Sequence, residues 1–520
     1  HAERINGYNP LAIIDAIKRK KKILSDGLGP VLLDTVTYRV SGHSPSDASS
    51  YRSKEEIDSW IAADAIPAFR KRMVDGKTLS DKEADALKST AESTVFEMFK
   101  RGIDMEISPR IPVTSEFIST VMFSNKRIEN CDESRKPELN HPLSENPRVK
   151  QIADKARYAF DAAGNAVPKM KQYCVRDGLF ESIMYRYERD ATLTAFGEEN
   201  RDWGGAFAVY RGMTEALPYH RLFNSPISEA AIVGAAVGYA LEGGRAICEL
   251  MYCDFLGRAG DEVFNQLSKW QSMSGGILRM PVVLRISVGA KYGAQHSQDW
   301  TAMVSHIPGL KVVYPVTPYD AKGLMNSALA GTDPVIFLES QKCYETGELF
   351  EKNGVPTDYY EIPIGEPSIK KSGKDITIVT LGPTLYTSLA SAKVLEEKYG
   401  VSAELVDLRC ANPLNYTKVI ESVKKTGKVV LLTDAAERGS YMHTVASRIS
   451  EYCFDYLDSA PAVVGSRNWI TPAAELEAAY FPQISWLLDA IHERVLPLKG
   501  HTVTTNQSIQ ELSKRDKEGV

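Results

Sequence analysis

The chain has 520 residues, 43% of them hydrophobic and 25% charged, with a formal net charge of −5. That balance suits a soluble globular protein of roughly three to four domains and gives no electrostatic case for nucleic acid or an anionic membrane as partner. Seven cysteines, none in a C-x-x-C pair, argue against a disulfide framework or a cysteine zinc site, and no apolar run reaches the roughly 20 residues of a membrane span; a reducing, cytoplasmic compartment is expected.

The opening residues, HAERINGYNPLAIIDAIKRKKK, carry no initiator Met and no signal-peptide pattern, and they read as the interior of a longer protein. Pro10 stands at a predicted helix start. Leu11, Ile14 and Ile17 mark one apolar face, and Lys18 to Lys22 form a solvated basic end that suits the helix dipole. Gly29-Pro30 breaks the chain before a strand-like run from Val31 to Val40. The following SGHSPSDASSYRSKEEIDSW cannot bury a core, so it is expected at the surface, where functional loops sit, with His43 flanked by Arg39 and Ser44. Residues 60–107 read as helices, broken at Ile66-Pro67 and capped near Leu79-Ser80-Asp81; residues 108–171 are polar and proline-bearing, a linker or a surface strap.

From Gln172 the pattern changes. YCVRDGLFESIMYRYERD predicts an amphipathic helix, and ATLTAFGEE a strand ending at Glu198 and Glu199, before a flexible Trp203-Gly204-Gly205 turn. Asn224 to Phe255 then reads as loop, helix, loop, strand. Ser228 is the expected N-cap, Gly243-Gly244 the stop, and Arg245 to Leu250 a buried strand. Gly234 and Gly238 share a face that would let another backbone come close. Glu229 suits the helix dipole in the first turn, yet it opens a segment with no other charge until Glu242. Pro281 to Ser287 is a buried strand running into VGAKYGAQHSQD. Strand, glycine loop and helix in that order place His296 at the C-terminal edge of a sheet, where open α/β folds bind ligands. Asp320 reads as a helix cap. After Asp375 the runs ITIVTLG, AELVDLR and KVVLLTDA alternate with helices and predict a parallel sheet. His443, near Glu437, reads as a surface or interface residue, and the polar residues after His501 as a loosely held tail.

Two strings carry a family resemblance. Y-R-x-x-G-H-S-x-S-D with Y-R-x-x-E-E-I, at Tyr38 to Ile57, resembles the alpha subunit of the thiamine-diphosphate-dependent 2-oxo acid dehydrogenases near its C-terminal end. S-P-I-S-E-A with G-x-x-x-G, G-G-R and C-E-L-x-x-x-D-F resembles the start of the beta subunit, and the His296 string is similar to that subunit's G-x-G-x-x-H-S-Q, though less glycine-rich. The resemblance implies an α/β protein with parallel-sheet, transketolase-like thiamine-diphosphate-binding domains and a C-terminal transketolase-type domain. Its boundaries would be 1–107 (alpha-like), 108–171 (linker), 172–357 (beta-like, pyrimidine-binding), 358–500 (transketolase C-terminal-like) and 501–520 (tail). It implies that Glu229 contacts the cofactor's aminopyrimidine ring and shares a proton with it, that Phe255 packs on that ring, and that Glu198 helps hold the cofactor-binding loop. His43 and Arg39 would lie by the diphosphate, and His43 and His296 would move protons during acyl transfer.

The family's magnesium- and diphosphate-binding G-D-G is absent: Asp26-Gly27, Asp75-Gly76 and Asp177-Gly178 are not preceded by Gly. No metal ligand is therefore expected on this chain. Magnesium would be held by a companion polypeptide carrying the N-terminal alpha region, in a dimer of such pairs. The implied reaction is decarboxylation of pyruvate, a branched-chain oxo acid or an acetoin-type substrate, with acyl transfer to a lipoylated acyltransferase. The alternatives are transfer to an aldehyde or ketone, as in transketolases and acyloin-forming enzymes, and a scaffold that has kept the fold without the chemistry.

Overall fold

A computed structural model describes residues 1–110 and 114–520. The chain forms two compact units, His1–Pro112 and Val113–Val520.

In the first unit, β1 (Ala2–Asn6) pairs in parallel with β2 (Leu32–Val36), Ala2 opposite Leu32 and Asn6 opposite Val36. The helix Pro10–Ser25 makes the crossover, and the Asn9 side chain caps it by accepting from the Ala12 N–H at 3.3 Å. The strand β1 is absent from the sequence reading, and the face formed by Leu11, Ile14 and Ile17 is exposed. Helices Lys54–Ala62, Ala65–Asp75 and Asp81–Ile103 follow. Ser80 and Glu83 cap the last of these reciprocally. The predicted break falls at Ala63 and Asp64, with Pro67 inside a first turn that tolerates it.

The second unit is built on two sheets. The larger runs β12-β7-β8-β6-β5-β3-β4, formed by Cys410–Asn412, Lys311–Val313, Val335–Ser340, Val282–Val288, Ala246–Leu250, Thr194–Gly197 and Leu222–Asn224, parallel except for β12. The smaller runs β14-β13-β10-β11-β9, formed by Ala462–Ser466, Val429–Ala436, Ile376–Thr380, Ala403–Asp407 and Ser368–Lys371, parallel except for β9. Every residue of β5, β6, β8, β10 and β11 is buried, which explains why these strands read as continuous apolar runs rather than alternating ones.

Each face of the larger sheet has its own cover. Phe196, Cys248, Leu284 and Ile286 share a core with Ile232, Val233, Ala236 and Val237 of the Glu229–Leu241 helix. Ala195, Ile247, Val283 and Phe337 share one with Leu179, Phe180 and Ile183 of the Val175–Tyr187 helix. That helix is not amphipathic as predicted, because its Asp177 and Arg186 are buried as well. The polar stretch before it is the reason. Arg148 and Lys155 both donate to Asp177, at 2.5 and 2.6 Å, and Arg157 pairs with Glu181. The same stretch is pinned elsewhere: Ser124 and Asn125 donate backbone N–H groups to Asp333, and Asn146 donates to the Gly212 carbonyl at 2.7 Å.

Asp320 caps less than expected. Thr317 is the N-cap of the Pro318–Ala330 helix, while the fully buried Asp320 accepts from Lys370 at 2.5 Å and Arg409 at 3.0 Å, joining the two sheets' regions. The tail is not loose. Thr504 and Thr505 donate to buried Asp489 through both N–H and hydroxyl, His501 Nε2 lies 2.6 Å from the same carboxylate, and a helix follows at Ile509–Glu518. No helix among the described residues is long and apolar enough to cross a membrane.

Candidate active site

The C-terminal ends of β3, β5 and β6 lie side by side, and three loops leave from them: Glu198 onward, Tyr252 to Phe255, and Gly289 to Gln298. The Glu229–Leu241 helix packs on the Cys253–Ala259 turn that holds Phe255. Its start is unusual. Ser228 occupies the N-cap position, but its hydroxyl donates to the Ile227 carbonyl at 2.7 Å, so no side chain caps the helix. The expected serine cap is therefore not made, and the first N–H groups of the helix lack that partner. Glu229, the first helical residue, is only 8% exposed, and no hydrogen bond or ion pair reaches its carboxylate among the described residues. The Glu198 carboxyl is raised above its ordinary value, first by burial and then by the negative charges of Glu229 and Glu199. The two predicted acids are thus neighbours, in a place where negative charge is already crowded.

His296 stands edge-on to two rings. Its centroid lies 4.5 Å from that of Tyr252 and 5.4 Å from that of Phe255. Phe207 extends this aromatic wall, 6.0 Å from Tyr252, and itself stacks on Tyr344 at 4.8 Å. The loop bearing His296 folds back tightly: a Cβ at Gly289 would sit 2.1 Å from the Ser297 carbonyl oxygen. Gln341 fastens both its sides, accepting from the Ala290 N–H at 3.1 Å and donating to the His296 carbonyl at 3.1 Å. Asp254 accepts from the Gln298 N–H at 3.2 Å; burial lifts its carboxyl, against the pull of nearby backbone N–H groups and His296.

Behind this wall lies a buried polar row that the sequence reading missed. Arg285 on β6 reaches Glu249 on β5 and, through two hydrogen bonds of 2.7 Å, Glu339 on β8. Burial pushes the Glu249 carboxyl up to about 7, although Arg285 opposes it. Glu249 also accepts from the Ala206 N–H at 3.3 Å, so it holds the Gly204-Gly205 turn. Gly205 has φ +81, and a Cβ there would sit 2.7 Å from a Glu249 oxygen, so only glycine fits. The signal was present, as one charged letter inside each of three apolar strands. Tyr252 was legible too, in the same Y-C-D-F string as Phe255.

Arg39 and His43 lie in the first unit, on one exposed loop. His43 Nδ1 is 2.8 Å from Asp47 Oδ2, and the His43 N–H donates to the same oxygen at 2.9 Å. With the Ser49 N–H and the Tyr51 hydroxyl added, the Asp47 carboxyl is held far below the usual carboxylate range. The structure thus brings Glu198 and Glu229 together, and Phe255 and His296 together, in the second unit; it fixes the His43 loop within the first. Gly234 and Gly238 meet no neighbouring backbone among the described residues: a Cβ at Gly238 would meet nothing within 4 Å, and one at Gly234 only Glu262. His443 and Glu437 form a half-exposed pair at 2.6 Å. No group of His, Cys, Asp and Glu among the described residues is placed to hold a metal ion.

Three family profiles match the chain: dehydrogenase E1 component over residues 3–108, transketolase pyrimidine binding domain over 175–346, and transketolase C-terminal domain over 365–485. The beta subunit of acetoin:2,6-dichlorophenolindophenol oxidoreductase from Cupriavidus necator is 38% identical over 333 residues, which is 62% of this chain and 96% of that subunit. The beta subunit of the pyruvate dehydrogenase E1 component from Rhizobium meliloti is 36% identical over 341 residues, 65% of this chain and 73% of that one. The beta subunit of 2-oxoisovalerate dehydrogenase from Bacillus subtilis is 39% identical over 285 residues, 54% of this chain and 86% of that one.

Proposed function

The chain belongs to the dehydrogenase E1 component family, with an alpha-type and a beta-type segment on one polypeptide, and from this premise we propose that it decarboxylates a 2-oxo acid with thiamine diphosphate. When bound, thiamine diphosphate supplies the nucleophilic carbon and the electron sink for losing carbon dioxide. The donor set fits its ring end. Glu229 is a buried residue at a helix start whose carboxylate has no hydrogen bond or ion pair among the described residues, so its oxygens are open to a ring nitrogen; that feature is the observation that carries the reading.

Glu229 holds the proton at the ring. Glu198 stands beside Glu229, its own carboxyl raised by burial and by the charges of that residue and Glu199. Phe255 and Tyr252 flank the reacting groups with apolar surface and exclude water from them. His296 Nδ1 or Nε2 gives and takes the proton on the substrate oxygen. In the first unit, taken by itself, we assign His43 and Arg39 to a diphosphate group. We assign the magnesium ligands to a companion polypeptide, because the family's G-D-G string does not occur in this sequence. Assembly as a dimer of such pairs, a cytoplasmic location and a lipoylated acceptor complete the proposal.

The test is carbon dioxide release from pyruvate and branched-chain oxo acids by the assembled holoenzyme, comparing the chain with its Glu229→Gln variant. Loss of about a hundredfold or more is expected, the scale of one acid–base group. Equal rates would mean that the glutamate is idle and the proposal fails. Supplying a lipoylated domain or an aldehyde as acceptor then separates dehydrogenase from ligase chemistry.

A further inference from the structure

The loop that carries His296 is tied at both ends to a segment far along the chain. On one side the Lys291 N–H donates to the Glu477 carboxylate, and Lys291 itself takes a left-handed conformation, φ +76, that a lysine adopts only when its surroundings impose it. On the other side Gln298 Nε2 donates to the Thr471 hydroxyl at 3.1 Å. Ala290, next to the first tie, is fully buried against Tyr480 and Phe481. Between the ties, Tyr292, Ala294 and Gln295 are exposed; the Tyr292 N–H donates to the Ser297 hydroxyl at 3.2 Å and the Tyr292 ring lies 5.9 Å from Tyr252, but both contacts stay within the site and give the loop no hold on the rest of the unit. The segment 471–481 lies within the region similar to the transketolase C-terminal domain.

We propose that Glu477 and Thr471 are positioning residues for His296. The C-terminal domain thereby sets where the imidazole stands against Tyr252 and Phe255. Gln341 and Asp254 fasten the inner edge of the loop, but a hairpin held on one edge can still tilt; the two distant ties remove that freedom. A proton-transferring group displaced by about an ångström loses rate steeply, whereas substrate binding is less sensitive to it. What Lys291 needs from Glu477 is an acceptor oxygen rather than a charge, and this makes the two roles separable. The inference rests on the reading of His296 as a proton-handling group.

The test uses the holoenzyme with four variants, Glu477→Ala, Glu477→Gln, Thr471→Val and Thr471→Ser, and two readouts: steady-state decarboxylation, and amide hydrogen exchange of residues 289–298. Glu477→Ala and Thr471→Val are expected to lower kcat by about tenfold, to move KM by no more than about twofold, and to speed exchange in the loop. Glu477→Gln and Thr471→Ser, which keep an acceptor oxygen, are expected to restore both. The proposal is overturned if Glu477→Ala leaves kcat and loop exchange unchanged, or if Glu477→Gln is as impaired as Glu477→Ala. A fully active His296→Asn variant would instead overturn the reading underneath. The exchange readout, which needs no activity, tells that failure from failure of the ties.

Discussion

Arg285 and Glu339 meet side by side on neighbouring strands, with Nε and Nη2 of the guanidinium each donating to one carboxylate oxygen at 2.7 Å. Glu249 closes on the same guanidinium from the other side, and all three residues are buried. A single cation thus answers two acids in a place where water cannot. Replacing Arg285 by Leu should destabilise the second unit by about 3–5 kcal/mol, because it strands two buried carboxylates. Lys, which lacks the planar fork, should recover little of that loss. Urea unfolding of the three proteins decides it; an Arg285→Leu midpoint equal to that of the parent would refute the prediction.

Glu249 should leave its mark on the pH dependence of stability. Burial raises its carboxyl from an ordinary 4.5 to about 7, so the folded protein binds that proton more tightly than the unfolded chain does. Its contribution is most favourable below the unfolded value, declines as pH rises between the two, and is level above the folded value. Glu249→Gln keeps an acceptor oxygen and abolishes this titration. Unfolding free energies of parent and variant should therefore diverge in the variant's favour between the two pH values, by on the order of 3 kcal/mol. A difference that stays constant with pH would show that Glu249 does not titrate there.

Asp320 should behave with the opposite sign. Burial would raise its carboxyl, but Lys370 and Arg409 outweigh burial and hold it below the ordinary value. Its stabilisation is present above the unfolded value and is lost as pH falls through the folded one. Asp320→Asn should cost about 3 kcal/mol at neutral pH and lose less than the parent on acidification. Thermal melts in a pH series measure both.

Asp489 should govern the order of the last twenty residues. Four donors from Thr504 and Thr505 converge on a single oxygen, and His501 takes the other. Asp489→Ala is expected to raise amide exchange over residues 501–508 by about tenfold or more while leaving β3, β5 and β6 unchanged. Equal exchange in the two proteins would assign the order of the tail to other contacts.

What the sequence disclosed follows from the range of each interaction. The Glu229–Leu241 helix was readable because its apolar residues and the Gly243-Gly244 stop lie within it. Strand β1 was not, since Ala-Glu-Arg-Ile-Asn has no strand-like pattern and depends on a partner on the far side of the Pro10–Ser25 helix. The Val175–Tyr187 helix looked half-exposed because its charges were visible while their partners, Arg148, Lys155 and Arg157, lie in an upstream stretch with no periodicity. Ser228 was the right residue for a cap, but the orientation of its hydroxyl was decided by local backbone geometry. In the candidate site, Glu229, Phe255 and His296 could be read from local strings. The ties from Thr471 and Glu477 could not, because they join segments about 180 residues apart.

The outermost strand of the larger sheet, β12, comes from Cys410–Asn412, well inside the region matched to the transketolase C-terminal domain. Cutting the gene at the gap between the two profile matches would leave β7 paired only with β8 and expose a row of unpaired N–H and C=O groups on its other side. Such a fragment is a template for stray strands and would tend to self-associate. Two family signatures that look like separable modules are, at the level of backbone pairing, sewn together.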